Sequence, residues 1–144
     1  GAYPSIAIGA DGLALIANQT TENATRLRVS HCSNIACTSD GIGSPDSAGA
    51  NGSYSSVTIG TNGLGLISYK DATNADLKVA HCSNTNCTAA TITSLDPAGN
   101  VGQHSGITIG SDGLGLISYY DNTNGNLKVA HCSNIFCSSF FRRN

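Results

Sequence analysis

The sequence predicts an all-β chain built as three copies of one four-stranded antiparallel unit. Three observations carry that expectation. A His-Cys pair returns every 50 residues, at His31-Cys32, His81-Cys82 and His131-Cys132. Ahead of each pair stands a tight-turn dipeptide, Asp11-Gly12, Asn62-Gly63 or Asp112-Gly113, set between apolar runs. No stretch shows the 3.6-residue apolar period of an amphipathic helix. Self-similarity at a fixed period marks a repeat architecture, so the unit has to be read before its parts.

The second unit shows those parts most clearly. Residues 56–59 form a β-branched run, and Asn62-Gly63 after them is a strong signal for a short hairpin. Residues 64–69 are almost continuously apolar, the pattern of a strand covered on both faces. Gly65 and Gly115 stand where the first unit has Ala14, so a close approach of the neighbouring unit is expected there. A polar turn over 71–75 leads to the strand 77–82. A short loop follows, and Cys87 opens a weaker fourth strand reaching about residue 95. Asp96-Pro97-Ala98-Gly99 then turns the chain into the next unit. The units are drawn as 1–53, 54–103 and 104–144, together one repeat domain. The first departs from the others over 17–20, and the third has only residues 138–141 where the second has a full fourth strand. Four short antiparallel strands per unit is the plan of a propeller blade, and a closed ring takes about four to eight blades. Three blades imply a dimer closing a ring of six, a longer array, or open assembly through exposed edges. The uncovered end faces are expected to be lined by Leu13, Leu15 and Ile16 at one end and by Leu114, Leu116 and Ile117 at the other.

The third unit reads Ile109-Gly110-Ser111-Asp112-Gly113-Leu114-Gly115-Leu116-Ile117-Ser118-Tyr119-Tyr120-Asp121, then Thr123-Asn124-Gly125 and Leu127-Lys128-Val129-Ala130-His131-Cys132. In this frame the units resemble the blades of secreted microbial β-propeller-type repeat proteins, and the resemblance covers nearly the whole chain. It implies propeller-like architecture and an extracellular or cell-surface setting. No activity follows from it, because propellers host many.

The cysteines fall into three Cys-x4-Cys pairs, Cys32/Cys37, Cys82/Cys87 and Cys132/Cys137. A four-residue loop between antiparallel strands brings two Cα atoms within disulfide reach, and pairing inside each unit is the simplest connectivity. Metal binding by His-Cys-x4-Cys is the rival reading. It is disfavoured because adjacent residues of a strand, such as His31 and Cys32, point to opposite faces. Disulfides place the chain outside the reducing cytosol.

Composition removes whole classes of function. Charged residues make up 11% of the chain and the formal net charge is −2, so there is no basic surface for nucleic acid. No apolar run approaches the ~20 residues that span a bilayer, and no membrane insertion is expected. The chain opens Gly1-Ala2-Tyr3 and contains no Met, which reads as a processed chain or a piece of a longer one.

Candidate chemistry is sparse. His31, His81 and His131 recur in every unit, which suits a structural histidine held by a neighbouring carbonyl or carboxylate. The sharper alternative for them is a pH-sensitive interface. Asp71 and Asp121 with their Thr and Asn neighbours have the composition of calcium loops but not the spacing, so Asx-type turns are expected. A sialidase-like propeller is excluded by the absence of Trp and by the placement of Arg26, Arg28, Arg142 and Arg143. With Glu22 the one Glu, a two-carboxylate glycosidase would need a pair drawn from Asp residues, and these mostly sit in turns. No catalytic residue, metal site or cofactor is assigned, and the expectation is a non-enzyme. Sequons place candidate N-glycosylation at Asn18, Asn23, Asn51 and Asn86. Phe140, Phe141, Tyr69, Tyr119 and Tyr120 are candidate interface residues. The first functional reading is a structural or adhesive protein whose partner is itself, in an oligomer or filament. The alternative is a lectin-like module taking glycans between blades on Tyr69, Tyr119 and Tyr120.

Overall fold

A computed structural model describes residues 1–22 and 24–143. The described residues form three sheets, each a four-stranded antiparallel meander. Sheet one contains β1 (Ala2–Ile8), β2 (Ala14–Thr20), β3 (Arg26–Cys32) and β4 (Asp40–Gly43). Sheet two contains β5 (Asn51–Ile59), β6 (Gly65–Asp71), β7 (Asp76–Cys82) and β8 (Ala90–Asp96). Sheet three contains β9 (Val101–Ile109), β10 (Gly115–Asp121), β11 (Asn126–Cys132) and β12 (Phe140–Arg143). The dipeptide turns between the first two strands of each sheet sit where expected. Gly12, Gly63 and Gly113 adopt φ of 80°, 79° and 80°, a region in which a Cβ is strained. The residue before each glycine fixes the turn as well. The carboxylate or amide oxygen of Asp11, Asn62 and Asp112 accepts the N–H of Leu13, Leu64 and Leu114 at 3.0, 3.2 and 3.1 Å.

The sheets stack in a row, with β5 laid across sheet one and β9 across sheet two. Alternation along each strand sends one residue set to the preceding sheet and the next set to the following one. Two cores result. Leu15, Ala17, Leu27 and Val29 of sheet one meet Val57, Ile67, Tyr69 and Ala80 of sheet two. Leu66, Leu77 and Val79 of sheet two meet Ile107, Ile117, Tyr119 and Ala130 of sheet three. The small residue at the head of each second strand is demanded by this packing. A Cβ on Gly65 would lie 2.6 Å from Leu15 Cδ2 and 2.9 Å from Cys82 Sγ, and one on Gly115 would meet Leu66 and Cys132 in the same way.

A buried polar interlock ties each sheet to the one before it. Asp46 accepts Tyr69 OH at 2.7 Å and lies 3.5 Å from Lys78 Nζ, which in turn reaches Asp71 at 2.6 Å. One unit later, Asp96 accepts Tyr119 OH at 2.9 Å and Lys128 Nζ at 3.2 Å, and Lys128 reaches Asp121 at 2.8 Å. Arg142 adds a contact to Asp96. The first strands are joined by hydroxyls as well, Ser55 to the Tyr3 carbonyl and Ser105 to the Tyr54 carbonyl, both at 2.8 Å.

Several expectations need correction. The chain passes between sheets at 44–50 and 97–100, so boundaries at 53/54 and 103/104 cut through β5 and β9. The fourth strand of the last unit is present as β12, paired to β11 from Val129↔Arg143 to Cys132↔Phe140, and β4 is equally short. The missing-strand edge expected there is therefore filled. Leu15 and Ile117 point into the cores rather than lining the end faces, because only alternate residues of a terminal strand face outward.

Candidate functional site: the two open sheet faces

Disulfides shape one loop per unit. Cys32–Cys37, Cys82–Cys87 and Cys132–Cys137 are bonded, with Cα–Cα distances of 4.9, 4.8 and 4.7 Å. Inside each loop an asparagine side chain accepts a main-chain N–H, Asn34 from Thr38, Asn84 from Thr88 and Asn134 from Ser138, each at 3.2 Å. The second and third loops project onto the preceding sheet. The backbone of Cys87 lies against Gly43 and the side chain of Asn86 against Gly41. Phe136 meets His81 edge-on, with ring centroids 4.8 Å apart.

The recurring histidines pair with the turn residues. His31 Nε2 lies 2.9 Å from Asp11 and His131 Nε2 lies 2.7 Å from Asp112, while His81 Nε2 meets the Asn62 amide at 3.0 Å. The Leu114 N–H holds the Asp112 carboxyl below its ordinary pKa against the opposing effect of burial, and His131 adds to the lowering. Burial lowers the His81 pKa, and the side chain that faces its ring is the neutral Asn62 amide. Asp71 and Asp121 close Asx turns of their own. Each accepts the N–H groups of the Thr and Asn that follow and the Asn side-chain amide, together with Lys78 or Lys128.

Two faces are left open among the described residues, and by repeat position they correspond to the two sides of the contact made inside the chain. The outer face of sheet three presents Leu116, Tyr120, Leu127 and Phe141. Its counterparts of Leu66 and Leu77 change from 1% and 0% exposed in sheet two to 38% and 68% at Leu116 and Leu127. The outer face of sheet one presents Ile6, Ile8 and Ile42. Ile6, at 64%, stands where Val57 is 6% exposed. On sheet three a cavity of about 510 Å³ is lined by Asp112, Leu116, His131, Phe141 and Arg143 among others. The corresponding space of sheet one, around Asp11, Leu15 and His31, is capped by Ile59, Gly63, Gly65 and Thr85 of sheet two and shrinks to about 10 Å³.

The candidate residues distribute unevenly over these surfaces. Tyr120 and Phe141 lie on the open face of sheet three, whereas Phe140 packs inward on the core. Tyr69 and Tyr119 are 0% and 1% exposed, which removes them from any glycan platform; their hydroxyls are committed to Asp46 and Asp96. Asn51 is also unsuited to glycosylation. It is fully buried, accepts the Leu27 N–H at 2.6 Å and donates to the carbonyls of Asp46 and Ala48. Asn18 lies within β2 at the place of Tyr69, Asn86 is exposed on its loop, and Asn23 falls outside the described residues. Arg28 occupies the place of Lys78, and its buried Nε has no hydrogen-bond partner among the described residues. Tyr3, Tyr54 and His104, which hold one position in successive units, line up as an aromatic row. Its rings stack at 4.4 and 4.7 Å on backbones with φ of 52°, 53° and 51°.

No family model matches the chain, and no curated protein does. Among solved structures it is similar to a protein of unknown function from Dyadobacter fermentans DSM 18053, with a TM-score of 0.70 and 13% identity. The likeness covers 95% of this chain and 39% of that one. The chain thus spans well under half of its structural neighbour, and the resemblance is one of fold.

Proposed function

We propose that this chain is a non-enzymatic, extracellular structural module that adds copies of itself head to tail. The sheets are then successive blades of a propeller-like stack. The observation that carries the reading is the complementarity of the end faces. The chain makes the same sheet-on-sheet contact twice, and each end displays the half that the other lacks. Such a contact is heterologous, so it closes into a ring or runs on as a filament according to the rotation per copy. The exposed apolar residues supply the driving force, since fully burying one large aliphatic side chain is worth about 1.5–3 kcal/mol. Three disulfides favour an oxidising compartment.

Assembly thus uses faces and not strand edges. Sedimentation velocity across the micromolar range tests it. The wild type should sediment as species larger than 14.6 kDa, and Leu127→Asp should return it to a monomer. A wild type that stays monomeric at every concentration contradicts the reading. A glycan-binding reading draws its support from the row Tyr3, Tyr54 and His104, the aromatic side chains left accessible along the first strands. Glycan-array binding lost on Tyr3→Ala would favour it.

A further inference from the structure

The disulfide loop of sheet one, residues 33–39, has no preceding sheet to rest on. Its counterparts both do. Thr85 of the second loop caps the Asp11–His31 space, and Phe136 of the third loop covers His81. At the position of Thr85 the first loop carries Ile35, which is 93% exposed. An isoleucine held almost wholly in water contributes nothing to the fold of the free chain. The space such a residue would cap is found at the other end of the molecule. It is the open cavity around Asp112 and His131, floored by Leu116 and flanked by Phe141.

The same comparison sets the first disulfide apart. Cys87 and Cys137 are fully buried, because the preceding sheet lies over them, whereas Cys37 is exposed. Cys37 also adopts φ of 51°, the left-handed conformation shared with Cys87 at 50° and Cys137 at 54°. The first loop therefore already has the shape in which the other two dock, and it holds that shape before meeting a partner.

We propose that loop 33–39 of one copy is the latch of the assembly. It seats on the Asp112–His131 cavity of the preceding copy, Ile35 fills that cavity, and the Cys32–Cys37 disulfide keeps the loop in its docking shape. This rests on the head-to-tail reading above and adds two consequences. Removing Ile35 from the contact weakens association without touching the fold. Docking also covers the one disulfide that a thiol reductant reaches in the free chain. A dithiol reductant opens it by exchange: its two sulfurs become a disulfide, and Cys32 and Cys37 each take up one electron and one proton.

The experiment uses the full chain in two readouts. Sedimentation compares wild type, Ile35→Asp, Ile35→Thr and the Cys32→Ser/Cys37→Ser double variant, with circular dichroism confirming that each is folded. Ile35→Asp should weaken association by about ten- to a hundredfold, the worth of one buried isoleucine. Ile35→Thr should lie between it and wild type, and the double variant should weaken association likewise. In the second readout, dithiothreitol and iodoacetamide are applied to wild-type assemblies and to the Leu127→Asp monomer, and peptides are mapped. Cys32 and Cys37 should be alkylated first in the monomer and protected in the assembly. An assembling wild type whose affinity is unchanged by Ile35→Asp overturns the latch and leaves the face contact standing. Equal protection of Cys32 and Cys37 in monomer and assembly also overturns it. A wild type that does not assemble fails at the earlier reading instead.

Discussion

Strands β6 and β10 differ at one position between Gly65 and Asp71, where Lys70 is replaced by Tyr120, yet their surroundings differ completely. Every residue of β6 is buried, while in β10 burial alternates from one residue to the next. The sequence of a strand in such an array specifies two packing faces, and its place in the row decides how many are used. Sheet two is what sheet three becomes when another unit covers it. The end units also show where the pattern has been adapted. Sheet one replaces Tyr69, Asp71 and Lys78 by Asn18, Thr20 and Arg28, so the Tyr–Asp–Lys set is not repeated there, and only the cation is kept, as Arg28.

The largest difference should appear at one repeat position. Leu77→Ala removes a fully buried side chain between two sheets and should cost about 2–5 kcal/mol of unfolding free energy. Leu127→Ala changes the same position on the open face and should stay within about 0.5 kcal/mol in dilute solution, while weakening self-association. Urea melts of the two variants at submicromolar concentration measure this directly. Similar costs at the two sites would mean that the open face is covered even in the single chain.

Acid should act next. Hydrogen bonds from Lys128 first, then from Asn124, hold the Asp121 carboxyl well below the ordinary range. At Asp71 burial acts to raise the pKa, but hydrogen bonds from Lys78 and Asn74 outweigh it and the net direction is also down. A depressed folded-state pKa contributes stability that is complete above the unfolded value of about 3.9 and is lost as pH falls through the folded value. Unfolding free energy should therefore decline progressively below about pH 4–5. In Lys128→Met the part of that decline due to Asp121 should shrink to what the Asn124 hydrogen bonds sustain. A decline of unchanged steepness in that variant would show that the interlock is not its source.

The three-unit plan, the hairpin turns, the disulfides and the small residue at 65 and 115 were legible because each depends on local chemistry or exact repetition. The exposed faces were harder. Leu15, Ile16, Leu116 and Ile117 look alike in composition, and only pairing register separates inward from outward. The Tyr–Asp–Lys interlock was missed because Asp96 reads as a turn residue, although Asp46 and Asp96 each stand 32 residues ahead of their lysines, Lys78 and Lys128, which was a usable signal. Asp11, Asn62 and Asp112 were likewise recognised for their turns and not as partners of the histidines. Asn51 satisfied a glycosylation pattern that carries no information about burial.

The smallest expected effect sharpens the contrast between the middle and outer units. Asn62→Asp gives His81 the carboxylate that His31 and His131 already face. The His81 pKa, lowered by burial in the wild type, should rise in a proton NMR titration. No rise would mean that the ring does not engage residue 62.

The central claim is that the two end faces fit each other and not themselves. Ile6→Asp blocks the face of sheet one, and Leu127→Asp blocks the face of sheet three. Each variant alone should be a monomer by multi-angle light scattering, having one usable face and no free complement. Mixed in equal amounts, they should form a one-to-one heterodimer and stop, because a single intact junction remains between them. Two monomer populations that stay monomeric on mixing, or either variant dimerising by itself, would contradict head-to-tail assembly.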